Sequence, residues 1–154
     1  MRVNLICRPE QARAGYMNMS ENLEELPDYE FTHTQNAGNL SAVALPGELT
    51  ELVAQEVLER FAPDEADVAL DNWVASVGIG GTLAITCLDI TTLCQDHVIG
   101  RLNAAQLNRL LHGDGRRASY SLSMLAEALQ ARGLKVIRRN LHGHQFCVVA
   151  RRES

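Results

Sequence analysis

A chain of 154 residues, 46% hydrophobic and 21% charged, is sized and composed for one globular domain with one sizeable core, and is neither disordered nor low-complexity. No apolar run approaches a membrane span, and the opening MRVNLICRPE turns polar too soon for a signal peptide, so no membrane role and a cytoplasmic setting are expected. The net charge of −5 hides an asymmetry: residues 1–100 carry 4 Arg against 16 Asp and Glu, residues 101–154 carry 9 Arg and 1 Lys against 3.

Residues 3–7 (VNLIC) read as a short buried strand and 16–19 (YMNM) as a second. The eight residues between them are few for a helical crossover, so the first helix is a single turn or absent. Residues 29–34 (YEFTHT) alternate and are rich in β-formers, which predicts a third strand, and 35–47 read as a loop with turn signals at Gly38 and Pro46-Gly47. ELTELVA, 48–54, predicts a fourth strand running into EVLERF.

Pro63-Asp64-Glu65 is a helix start, with acidic residues at the positive end of the dipole. Leu70, Trp73, Val74 and Val77 then recur as one buried stripe, and Gly78 is expected to end the helix. After Gly80-Gly81, TLAITCL (82–88) is apolar on both faces, as a central parallel strand should be. Helices are predicted near 91–98 and 103–111, a loop over 112–119, and a further helix on the stripe Leu122, Leu125, Ala126, Leu129, closed by Gly133. LKVIRRN and QFCVVAR predict a closing hairpin with LHGH at its tip. The whole predicts an α/β domain over residues 1–154: a mostly parallel sheet with helices on both faces and a C-terminal antiparallel hairpin.

Cys7, Cys87, Cys94 and Cys147 form no C-x-x-C pair and read as reduced thiols, without a metal site. His142 and His144 belong to the hairpin tip. The basic last third could meet a polyanion, but no nucleic-acid motif accompanies its arginines, so nucleic acid is not expected. Charge of this kind is more often neutralised within a fold or across a subunit contact, which allows a homo-oligomer.

Four stretches together resemble class I S-adenosylmethionine-dependent methyltransferases, most closely short members associated with surface polysaccharides. VNLICRPEQARAGYMNMS resembles that family's first strand, glycine loop and second strand. EVLERF resembles the segment after its fourth strand, ALDNWVASVGIGGTLAITCLDI its helix and fifth strand, and SLSMLAEALQARGLKVIRR with QFCVVARR its closing helix and hairpin. The resemblance implies a Rossmann-like sheet, S-adenosylmethionine lying across the carboxyl ends of the parallel strands, and methyl transfer to a small or saccharide-type acceptor.

Matched position by position, Leu5, Cys7 and Arg8 belong to the cofactor loop, whose glycines fall at Ile6 and Arg8. The ribose-binding acid falls at Ser20. Glu21, the next residue, could reach in its place, although strand alternation would turn it to the other face. The adenine-side acid falls at Asn39. Missing glycines and a missing acid predict weakened cofactor binding. Arg8 either pairs with the cofactor carboxylate or fills the crevice. Glu56 and Glu59 either line the site, toward cofactor and acceptor respectively, or are solvated. Asp89 either contacts the acceptor or caps the following helix. His112 either covers the acceptor pocket or is simply exposed. The matches fall on packing elements and the mismatches on cofactor contacts, so a catalytically inactive member used for binding or assembly stands as the alternative.

Overall fold

The computed structural model describes all 154 residues. Seven strands, β1 (Arg2–Leu5), β2 (Met17–Ser20), β3 (Phe31–His33), β4 (Leu49–Gln55), β5 (Val77–Leu88), β6 (Lys135–His142) and β7 (Gln145–Arg151), form one sheet in the order β3-β2-β1-β4-β5-β7-β6. The first five pair in parallel, and β7 pairs antiparallel with both β5 and β6. Four helices accompany them: α1 (Pro63–Ser76), α2 (Ile90–Val98), α3 (Ala104–His112) and α4 (Leu122–Ala131). No helix is long and apolar enough to cross a membrane.

The pleat sorts each strand into two faces. Val3, Leu5, Met19, Leu52, Ala54, Leu83, Ile85, Cys87, Phe146, Val148 and Ala150 all fall in one hydrophobic cluster, together with Leu70 and Trp73 of α1 and Leu125 and Leu129 of α4. Both helices therefore cover the same face. On the opposite face, the chain from β1 to β2 carries only a 3-10 turn at Pro9–Gln11, and that from β2 to β3 carries no helix. The eleven residues 6–16 leave little room for a longer crossover helix, and Leu-Pro-Asp at 26–28 interrupts any helical run between β2 and β3.

α1 ends one residue before the expected stop. Val77, fully buried, already belongs to β5. Gly78 serves close approach: a Cβ there would lie 2.4 Å from the Gly47 carbonyl oxygen. The hairpin tip is also tighter than expected, since only Gly143 and His144 separate β6 from β7. The predicted helices at 91–98 and 103–111 appear as α2 and α3, which pack on each other after β5.

Candidate functional site

The carboxyl ends of β1 to β4 open onto a cavity of about 460 Å³. Ile6 and Cys7 line it after β1, Glu21 and Asn22 after β2, and Asn36, Ala37 and Gly38 after β3. Val57, Arg60 and Phe61 follow from β4, Val68 and Ala69 from α1, and Arg117 closes one side from the loop before α4. Open parallel sheets bind ligands in this place, where neighbouring crossovers diverge. The volume lies within the range of about 300–1,000 Å³ usual for small-molecule sites.

Two acids line the cavity: Glu65 of α1, paired with Arg117 at 3.2 Å, and Glu21. Glu21 reaches the cavity because β2 ends at Ser20, so the pleat no longer dictates its direction. Its carboxylate accepts from the Ala37 amide at 2.6 Å, tying the end of β2 to the wall formed after β3. Ser20 does not line the cavity: it is buried, and its hydroxyl oxygen accepts from the amides of Asn22 (3.1 Å) and Leu23 (3.3 Å). Asn39 is exposed and closes a local turn by accepting from Ser41 N at 3.1 Å, while Asn36 reaches the cavity. Leu5 lies in the core, and Ile6 and Cys7 present the loop to the cavity.

Beside the cavity, the chain fills the crevice with its own polar groups. Gln11 Oε1 accepts from the amides of Cys7 (2.8 Å) and Arg8 (3.0 Å), the loop amides a ligand would otherwise meet. Gln11 Nε2 donates to Glu56 Oε2 at 2.9 Å, and the Arg8 guanidinium donates to the same oxygen. Gln145 Nε2 donates to Glu56 Oε1 at 2.7 Å. Glu56 is thus a buried, fully engaged carboxylate, held in the left-handed region at φ 58°, which a non-glycine residue adopts at a cost of about 1–3 kcal/mol. Burial is the largest single influence on the Arg8 pKa and lowers it, but the charge and hydrogen bond of Glu56, with Cys7 and Glu10, together leave the net shift upward. Gln11 is a site residue that sequence reasoning missed. Its signal was Pro-Glu-Gln after Arg8, a first-turn proline with a glutamine at the third position, which reaches back to the capping residue's amide.

Glu59 does not line the open cavity. It is 1% exposed, with Oε2 3.4 Å from Leu88 N and 3.6 Å from Arg116 Nε, while Oε1 has no hydrogen-bond partner. Burial pushes its pKa up to about 7 against the partial opposition of Arg116. Folding therefore favours the protonated form, so stability is greatest below the ordinary value of 4.5 and falls as pH rises toward 7. Glu59→Gln is expected to flatten this dependence. Denaturant titrations between pH 5 and 8 should show the natural chain losing on the order of 2 kcal/mol relative to the variant.

Asp89 resolves as a cap. Oδ2 accepts from Thr92 N (3.0 Å) and Thr92 Oγ1 (2.6 Å) at the start of α2, and Oδ1 accepts from Leu122 N (3.0 Å) at the start of α4. His112 ends α3 instead of lying in a loop; it is exposed and does not reach the cavity. No group of three His, Cys, Asp or Glu side chains is placed to hold a metal ion.

Solved structures share this architecture. An S-adenosylmethionine-dependent methyltransferase from Mesorhizobium loti matches at a TM-score of 0.67 and 10% identity, over 97% of this chain and 90% of its own. The magnesium protoporphyrin IX methyltransferase of Synechocystis PCC 6803, solved with bound S-adenosylhomocysteine, matches at 0.62 and 15%, over 97% and 73%. The fold is that of the class I S-adenosylmethionine-dependent methyltransferases. An O-methyltransferase family protein from Burkholderia thailandensis matches at 0.62 and 18%, and there this chain covers 90% of itself but only 44% of the relative. Identities this low make the likeness one of fold. No protein-family model matches the sequence, and no curated protein does.

Within the methyltransferase fold, the cavity and the filled part of the crevice differ in what they can accept. The cavity has room, a rim carboxylate at Glu21 and an aromatic wall at Phe61, which suit a nucleoside. The Gln11–Glu56–Arg8 cluster leaves the loop amides already engaged, which does not suit the amino-acid end of the donor.

Proposed function

We propose that the protein holds S-adenosylmethionine or its demethylated product by the adenosine end, in the cavity after β1, β2 and β3, and serves methyl transfer to a small or saccharide-type acceptor. The observation that carries this reading is the open cavity of about 460 Å³ at the strand ends, with Glu21 on its rim where a ribose would be met. The sulfonium methyl of the donor is already activated, so the protein's part is to position donor and acceptor. Ile6 and Phe61 would flank the nucleoside, and Glu21 would accept from ribose hydroxyls. The four unpaired cysteines fit a reducing, cytoplasmic setting.

A second reading, a binding module without catalysis, is favoured by one observation: Gln11 and Arg8 occupy the loop amides and Glu56. Equilibrium dialysis with S-adenosylmethionine and with adenosine separates the two. The natural chain is expected to bind both with affinities within about tenfold, because the amino-acid end adds little. Arg8→Ala/Gln11→Ala should tighten S-adenosylmethionine by about tenfold or more and leave adenosine unchanged. Absence of binding by both ligands would sink the first reading and leave the second. Label transfer from methyl-labelled donor to saccharide acceptors would decide for catalysis.

A further inference from the structure

The sheet has one face under helices and another that is covered over only half its width. On that second face, the segments 6–16 and 21–30 cross the β1, β2 and β3 half. Arg13 N donates to Asn18 Oδ1 at 2.9 Å, Tyr16 Oη donates to Glu51 Oε2 at 2.7 Å, and a His33 ring nitrogen lies 3.0 Å from Leu23 O. Over β5 and β7 the same face shows Thr82, Ala84, Thr86 and Cys147, small and half-buried, beside the buried Val149, while α1 and α4 lie on the other side. One half is raised and the other is bare.

Charge follows the division only at the two outer edges, since nearer the centre the raised half exposes Arg2 and Arg13, which lie over the Tyr16 ring. The segment between β2 and β3 exposes Glu24, Glu25, Asp28 and Glu30, and none makes an ion pair within the chain. At the far edge, Arg138 pairs in register with Val149 and Arg151 with Thr82, which puts both arginines on this face. Both are exposed and also without an internal ion pair.

We propose that this face is the interface of a homodimer whose two-fold axis runs parallel to β4. β4 is the central strand of the seven. Rotation about it lays β5 over the partner's β1, β7 over its β2 and β6 over its β3. Each raised half then fits the partner's bare half, and each acidic segment faces the partner's arginines. An axis across the strands would instead oppose β6 to β6 and arginine to arginine, which like-charge repulsion disfavours. The contact is isologous, so it closes at two copies and does not extend into a filament. It is independent of what the cavity binds.

Sedimentation velocity tests this. The natural chain should sediment at twice 17.0 kDa in about 50 mM salt and shift toward monomer at about 500 mM, where exposed charges are screened. Arg138→Glu/Arg151→Glu and Glu24→Arg/Glu25→Arg/Glu30→Arg should each be monomeric, with unchanged melting temperatures. Mixed in equal amounts they should form a heterodimer, because reversed charges again meet their opposites at both contacts. A natural chain that is monomeric at low salt would overturn the proposal. So would variants that dimerise alone, or a mixture that stays monomeric.

Discussion

Replacing Trp73 with Ala is expected to cost about 3–5 kcal/mol of unfolding free energy. Trp73 is fully buried on α1, the largest side chain in the core that joins α1 and α4 to the sheet. Its indole packs edge-on to Phe61 at 6.4 Å between ring centres, and its Nε1 donates to Ala37 O at 2.9 Å. The substitution removes the ring, leaves a cavity the surrounding strands cannot close, and strips a partner from a buried carbonyl. For a chain of this size the melting temperature should fall by roughly 10 °C. Because Ala37 and Phe61 also wall the cavity, the milder Trp73→Phe should cost about 1–2 kcal/mol and weaken ligand binding as well. A denaturant midpoint unmoved by Trp73→Ala would contradict the placement of α1 against the sheet.

The second large effect belongs to Arg116. Its side chain is 9% exposed and lies 3.6 Å from Glu59 and 3.9 Å from Glu56, while its Nη1 donates to Leu110 O at 3.1 Å. Arg116→Met would leave two buried carboxylates without their shared cation, at a cost of about 3–5 kcal/mol near pH 8. The cost should shrink toward pH 5, because Glu59, with its pKa raised to about 7, then carries a proton and no longer needs a counter-charge. Arg116 also pins the loop in which Arg117 N and Ala118 N donate to Glu59 O at 2.7 and 3.1 Å. That loop carries Arg117 to the cavity, so the variant should bind ligand less tightly at both pH values. Urea titrations at pH 5.5 and 8 read the difference directly, and equal losses at the two pH values would contradict the assignment of Glu59 as the titrating partner.

Local pattern made the elements readable. The apolar stripe of α1, the two-sided apolar run of β5 and the terminal hairpin each state their period within a few residues, and short spacing already argued against a full helix between β1 and β2. That α1 and α4 share one face is a property of the assembled sheet. It emerges from the pleat parity of all seven strands and from two crossovers too short or too interrupted to coil. The site was readable only where it is local. Asp89 with Thr92 forms a cap within three residues, whereas the cluster around Glu56 joins Arg8, Gln11, Arg116 and Gln145, residues separated by 45 to 89 positions in the hydrogen bonds of Gln11 and Gln145. No periodicity announces such a meeting. Glu21 was named from the sequence, and what frees it from the alternation argument is that the strand stops at Ser20.

The cavity as a nucleoside site is tested most directly by calorimetric titration of S-adenosylhomocysteine into the natural chain and into Val68→Trp. Val68 sits on the rim and is 68% exposed, so an indole there should obstruct the cavity without disturbing the core. The account predicts saturable binding to the natural chain and at least a tenfold loss in the variant, about 1.4 kcal/mol or more. No binding to the natural chain, or equal binding to both, would contradict it.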